Sequence, residues 1–146
     1  MRMPGAPDPE YVSARRALLD ALEALGEHRD SIVVVGAQAV YLHTGAADVA
    51  VAEFTTDADL AIDPEGLLPD PRLDAALQEH GFVPDGAQPG IYWSADGIEV
   101  DLMVPETLGG AGRRGARLGP HGNRAARKAC GLEEHLLTIR RSRLKR

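Results

Sequence analysis

The sequence predicts an α/β fold of the α+β kind, a small mixed sheet carrying carboxylates with helices packed against it, and three observations predict it. Residues 8–25 join a helix-start signal to apolar side chains at helical spacing. Ile32-Val33-Val34-Val35 is an unbroken β-branched run that ends in Gly36-Ala37 and leads into a second helical segment. Two later stretches, Thr55 to Asp63 and Gly97 to Val104, alternate apolar and polar side chains with the period of a strand. At 146 residues, 44% hydrophobic and 26% charged, the chain has the size and composition of one globular domain.

In chain order, Met1 to Pro7 carries two prolines and no periodicity, and reads as a loose arm. Asp8-Pro9-Glu10 supplies a cap, a proline for the first helical position and an acid in the first turn. Ala14, Leu18, Leu22 and Leu25 then recur on one face with Leu19 beside them, which makes this helix a core wall, and Gly26 weakens its last turn. Ile32 to Val35 is expected as a strand covered on both faces. Gln38 to His43 is expected as a helix ending near Gly45, and Ala46 to Phe54 as a loop leading to the next strand.

Within Thr55 to Asp63, extended backbone sends Asp57 and Asp59 to one face and Thr56, Ala58, Leu60 and Ile62 to the other. After the turn at Asp63-Pro64, Asp70-Pro71 repeats the cap-then-proline signal, and Leu73, Ala76 and Leu77 predict a helix stopped by Gly81. Phe82-Val83 and Ile91-Tyr92-Trp93 are short strand candidates. Ala95-Asp96-Gly97 is a hairpin turn into the strand of Ile98, Val100, Leu102 and Val104, whose polar face holds Glu99 and Asp101. Beyond Pro105, Leu108 to Gly115 reads as a flexible Gly/Arg segment. Asn123 to Ala129 reads as a short basic helix, and Leu132 to Ile139 as another. Residues 1–112 are expected to form the core, with 113–146 as a basic, partly helical extension of the same domain.

Charge and cysteine content narrow the function classes. Residues 113–146 hold 11 of the 16 bases and only 2 of the 22 acids, so this part is expected to fold onto an acidic face or to meet a polyanion. The single Cys130 excludes an internal disulfide, and no Cys/His spacing fits zinc. No apolar run reaches the length of a membrane span, so the expected location is cytoplasmic, with no membrane partner. Arg outnumbers Lys 14 to 2, as GC-rich bacterial coding would give.

Two carboxylates roughly 7 Å apart on one strand face repel each other and ask for a counter-charge. Mg²⁺, or Mn²⁺ in its place, takes one or two carboxylates and leaves its other positions to water and phosphates. A neighbouring strand would bring Asp101 or Glu99 beside the pair as a third carboxylate. An EF-hand loop is excluded, since counting from Asp57 puts Ile62 where that turn requires glycine. Asp63, before proline, reads as a turn residue. The Gly36-Ala37 turn either binds phosphate at a helix N-terminus or is only a tight turn, and Gln38 either contacts a nucleotide or caps that turn. Arg113, Arg114 and Arg117 either clamp a triphosphate or form a solvated run. The five histidines read as solvent-facing. Of Tyr92 and Trp93, one ring is expected in the core, and an exposed ring would suit stacking on a base.

A Gly-small turn opening a helix, then Asp57-Ala58-Asp59, then Asp101 on a later strand resembles, in that order, the nucleotidyltransferase superfamily that includes DNA polymerase beta. More narrowly, Gly36-Ala37-Gln38-Ala39-Val40-Tyr41-Leu42 with Thr56-Asp57-Ala58-Asp59-Leu60 is similar to stand-alone nucleotidyltransferases related to AbiEii toxins of toxin–antitoxin systems. The resemblance spans roughly Ser31 to Pro105 and implies a metal-dependent transfer of NMP from an NTP to a tRNA end or a protein hydroxyl. It implies Asp57, Asp59 and Asp101 as catalytic and metal-holding residues, Gly36, Ala37 and Gln38 as nucleotide-binding residues, and an antitoxin protein as a partner; Arg113 and Arg114, beyond its span, are expected to join the nucleotide-binding set by their charge. The hydrophobic-Asp-hydrophobic triplet of that family favours Asp101 over Glu99. Two departures stand out: Ala37 occupies a position where the superfamily often has Ser, and the long helical C-terminal region of AbiEii-like proteins is missing or reduced. The alternatives are a non-catalytic module of the same fold that binds a protein or nucleic acid, and a sugar-nucleotide transferase using its Asp-x-Asp.

Overall fold

A computed structural model describes residues 9–35, 58–133, 136–137 and 140–141, with the backbone alone for 9–11. The expected helix at Gln38 to His43, the loop at Ala46 to Phe54, and Gly36, Ala37, Gln38 and Asp57 lie outside the described residues.

Helix α1 spans Pro9–Ala24 and starts at the predicted proline. Ala14, Leu18 and Leu25 are buried as expected, but Leu19 is 48% exposed, and Ala17 and Ala21 take the inward positions instead. The small side chains let α1 lie close on the sheet. A 3₁₀ turn over Gly26–Ser31 leads into strand β1, Ile32–Val35.

Strand β2, Ala58–Ile62, runs antiparallel to β1 and parallel to β5, Glu99–Pro105. Between them in sequence come helix α2, Leu73–Glu79, and the short strands β3, Val83–Pro84, and β4, Ile91–Trp93. The sheet order is β1-β2-β5-β4-β3, and a sixth strand, β6, Arg127–Ala129, pairs parallel with β5. The architecture is the mixed α/β sheet that the sequence predicts. The β4–β5 hairpin is also as predicted, with Gly97 at φ +79° in its turn.

The alternating pattern divides the sheet as it should. Ala58, Leu60, Ile62, Val100, Leu102 and Val104 are all buried on one face, where α1 packs on β2 and β5 and also touches α2. Tyr92 joins this core, and its hydroxyl donates to the carbonyl of Ala125 at 2.9 Å. Burial pushes the Tyr92 phenol well above its ordinary range.

Three expectations are corrected. Asn123 to Ala129 is not a helix. The three-residue β4 covers β5 only at Glu99 to Asp101, which leaves the Met103–Pro105 edge for β6, and the backbone completes that ladder. Leu108 to Gly115 is not loose, because Lys128 Nζ donates to the carbonyls of Gly110, at 2.7 Å, and Gly112, while its stem lies over Gly109.

The third correction concerns histidines. His28 and His121 are each only 2% exposed and meet edge to face at 5.5 Å between ring centres. His121 Nδ1 accepts the Leu73 N–H at 3.0 Å, so its Nε2 carries the proton that goes to the Leu68 carbonyl at 2.7 Å. Helix α2 therefore starts at Leu73, capped by a side chain from a distant loop and not by Asp70. His28 Nε2 donates to the Pro71 carbonyl at 2.6 Å, which ties the same loop to the end of α1.

Candidate active site

Asp59 and Asp101 come from different strands and stand side by side as partners in the parallel β2–β5 ladder. Neighbouring strands lie about 4.8 Å apart and register partners share a face, so both carboxylates project from the face opposite α1. Asp59 is half-buried and Asp101 is 7% exposed. Further along the same strands that face carries Ala61 and Met103, which with Val35 and Leu132 form a second small core. The carboxylates thus stand at the rim of a dry patch, where two negative charges side by side are costly without a counter-charge.

Strand β6 brings one. Arg127 Nη2 lies 3.5 Å from Asp101 Oδ2 and 3.2 Å from the sulfur of Met103. Around Asp101 opens a cleft of about 520 Å³, lined also by Gln88, Pro89, Ile91, Glu99, Arg113, Arg114 and Lys128. A second hollow of about 470 Å³ shares Pro89, Arg113 and Arg114 and continues past Arg117 and Arg124, with no acidic side chain among the described residues that line it. The bases that the sequence concentrates after residue 112 therefore meet the acidic sheet face.

Local sequence explains why these walls hold. Asp85 accepts the N–H groups of Gln88, at 2.8 Å, and Ala87, at 3.0 Å, and the indole N–H of Trp93 at 3.1 Å. The Gln88 amide first, then the Trp93 indole and the Ala87 amide, hold its carboxyl below the ordinary value of 3.8. This knot fixes the loop that ends at Gly90, which has φ +79°. A β-carbon there would sit 2.6 Å from the Arg127 nitrogen and 2.7 Å from the Leu102 oxygen, so only glycine allows the loop to wedge between β5 and β6. Opposite, the Lys128 N–H donates to the Arg114 carbonyl at 2.7 Å and the Ala116 N–H to the Ala126 carbonyl at 2.9 Å, which seats the arginine strip along β6.

Of the residues expected at the site, Asp101, Arg113 and Arg114 line one cleft, and Asp59 stands beside Asp101 in the ladder. Glu99 lines the same cleft but is the register partner of Trp93, and Asp101 is the partner of Asp59. Asp63 is fully buried, accepts the Glu65 N–H at 3.1 Å and pairs with Arg140 at 3.3 Å, in keeping with its reading as a turn residue. Tyr92 is the core ring, while Trp93 is 37% exposed on the carboxylate side of the sheet. Arg127 and Lys128 escaped the sequence reading because they lay inside the expected helix. Their signal, two bases within a run of small residues, had no strand period to place it.

A family model described as Nucleotidyltransferase matches residues 14–137, from α1 through β6 and beyond. The chain belongs to that nucleotidyltransferase family. No curated protein and no solved structure matches it. Asp59 and Asp101 are of the type a hard divalent cation takes, acceptor-only carboxylate oxygens on register partners of adjacent strands. Among the described residues no group of three or more His, Cys, Asp or Glu side chains forms a metal cluster. Among the same residues no helix is long and apolar enough to cross a membrane.

Proposed function

We propose that the protein is a metal-dependent enzyme that transfers NMP from an NTP to a hydroxyl, with Asp59 and Asp101 as its acidic centre. The observation that carries this reading is their side-by-side register, with Asp101 lining the cleft that Arg113, Arg114, Arg127 and Lys128 also line. Asp57, two residues before Asp59, is the third carboxylate of the proposed set. Mg²⁺ or Mn²⁺ held there would supply charge neutralisation of the triphosphate and polarisation of the α-phosphorus.

The chain's own residues do the rest. Arg113, Arg114 and Lys128 bind non-bridging phosphate oxygens, arginine by paired N–H donors and lysine as a point charge. The Gly36-Ala37 amides and Gln38 are proposed to hold the distal phosphates or the nucleoside. Asp101, buried beside the dry patch, takes the proton of the attacking hydroxyl. The acceptor oxygen bonds to the α-phosphorus, the bond to the bridging oxygen breaks, and pyrophosphate leaves toward the arginines.

The proposed acceptor is the end of an RNA such as a tRNA, with a protein hydroxyl as the other candidate. The hollow beyond Arg114, which passes Arg117 and Arg124 with no acid among the described residues of its lining, supports a polyanionic acceptor. A cytoplasmic role as an AbiEii-like toxin with an antitoxin partner rests on the sequence resemblance. Incubation with α-labelled NTPs, Mg²⁺ and either total tRNA or cellular protein tests the reading. Label transferred by the wild type and not by Asp59→Asn supports it, and no transfer of any of the four nucleotides contradicts it.

A further inference from the structure

The backbone of Arg127 is fixed on three sides. It pairs with Met103 of β5, bridges Gly115 on its other edge, and lies against Gly90, whose hydrogen leaves no room for a β-carbon. Its guanidinium, by contrast, reaches into the cleft with its side chain 34% exposed. The contact with Asp101 is a single N···O approach of 3.5 Å, at the outer limit of a hydrogen bond and not the two-pronged pairing that a guanidinium can make with a carboxylate. The backbone that carries the guanidinium is held in place, and the grip on the carboxylate is weak.

That geometry suits a group that must change partner. A divalent cation beside Asp59 and Asp101 would put two further positive charges on the carboxylate that Arg127 touches, and the like charges would repel. The same cleft that holds the guanidinium is where the phosphates would lie. We propose that Arg127 is a nucleotide-binding residue that exchanges partners, neutralising Asp101 before loading and engaging the triphosphate once metal and nucleotide are in place. The inference rests on the NTP-transfer reading and adds to it a residue that competes with the metal and cooperates with the nucleotide.

The two roles give opposite signs in one experiment. Mn²⁺ alone, and each NTP with Mn²⁺, are titrated by calorimetry into wild type, Arg127→Gln and Arg127→Lys, with thermal melts confirming that each variant folds. Removing the competitor from a partly exposed pair is expected to tighten Mn²⁺ binding by about threefold. Loss of charge-assisted bonds to phosphate is expected to weaken NTP binding by about tenfold or more. Arg127→Lys, which keeps the charge but not the fork, should leave Mn²⁺ affinity near wild type and recover only part of the NTP affinity. If both affinities fall in Arg127→Gln, the residue is structural support and the proposal is wrong. Two unchanged affinities overturn it as well. Should the wild type bind Mn²⁺ but no NTP, the transfer reading fails and the partner exchange fails with it. NTP binding with same-sign effects removes only the exchange.

Discussion

Asp59 of β2 stands directly beside Asp101 of β5 in a parallel ladder, although α2, β3 and β4 separate them along the chain. The pairing sets the two carboxylates apart in position from their neighbour Glu99, which shares their face but lies beside Trp93. If Asp101 takes the proton, Asp101→Asn should lower turnover on the order of a hundredfold or more. Glu99→Gln should change it little. Steady-state rates of label transfer for the two variants check this, and equal losses would move the base to the pair as a whole.

Gly90 is the wedge on which one cleft wall depends. Gly90→Ala adds a β-carbon against backbone atoms on two strands at a positive φ, so relief by a side-chain rotation is closed. A loss of roughly 2 to 4 kcal/mol in denaturant unfolding is expected. Gly97→Ala, at the same φ but with open space around it, should cost less.

Asp85 gives the cleft loop a pH dependence. Its folded value lies below the ordinary one, so its contribution is fully present above the ordinary 3.8 and is lost as pH falls through the folded value. The protection of the Ala87 and Gln88 amides against hydrogen exchange, taken relative to the intrinsic rate at each pH, should therefore hold down to about pH 4 and fall in more acidic buffer. In Asp85→Ala that protection should be absent at every pH, with weaker NTP binding because Gln88 and Pro89 line the cleft.

Cys130 is exposed, yet its thiol donates to Glu106 Oε2 at 2.8 Å, and that carboxylate raises its pKa. Less thiolate is then present at neutral pH. Glu106→Gln should speed alkylation of Cys130 by iodoacetamide at pH 7.5. An unchanged rate would mean the contact does not persist in solution.

The sheet was legible where the code is local. Alternation over Thr55 to Asp63 and Gly97 to Val104 assigns each side chain to a face before any partner is known, and Leu60, Val100 and Leu102 are buried as that period requires. What the sequence could not show depends on a third element. Three residues of β6 become a strand only because β4 leaves part of β5 uncovered, so Arg127 had no signal. His28 and His121 look like ordinary polar residues until the loop carrying the Leu68 and Pro71 carbonyls folds over them. Leu19 was misread because Ala17 and Ala21, too small to mark a stripe, are what bring α1 close to the sheet. Gly36, Ala37, Gln38 and Asp57 lie outside the described residues, and their proposed roles rest on the sequence pattern.

The most direct test of the acidic centre is calorimetric titration of each NTP, with and without Mg²⁺, into wild type and a folded Asp59→Asn/Asp101→Asn variant. Binding should require Mg²⁺ in the wild type and disappear in the variant. Equal affinity in both proteins, or binding indifferent to Mg²⁺, would contradict a metal-held nucleotide at the paired carboxylates.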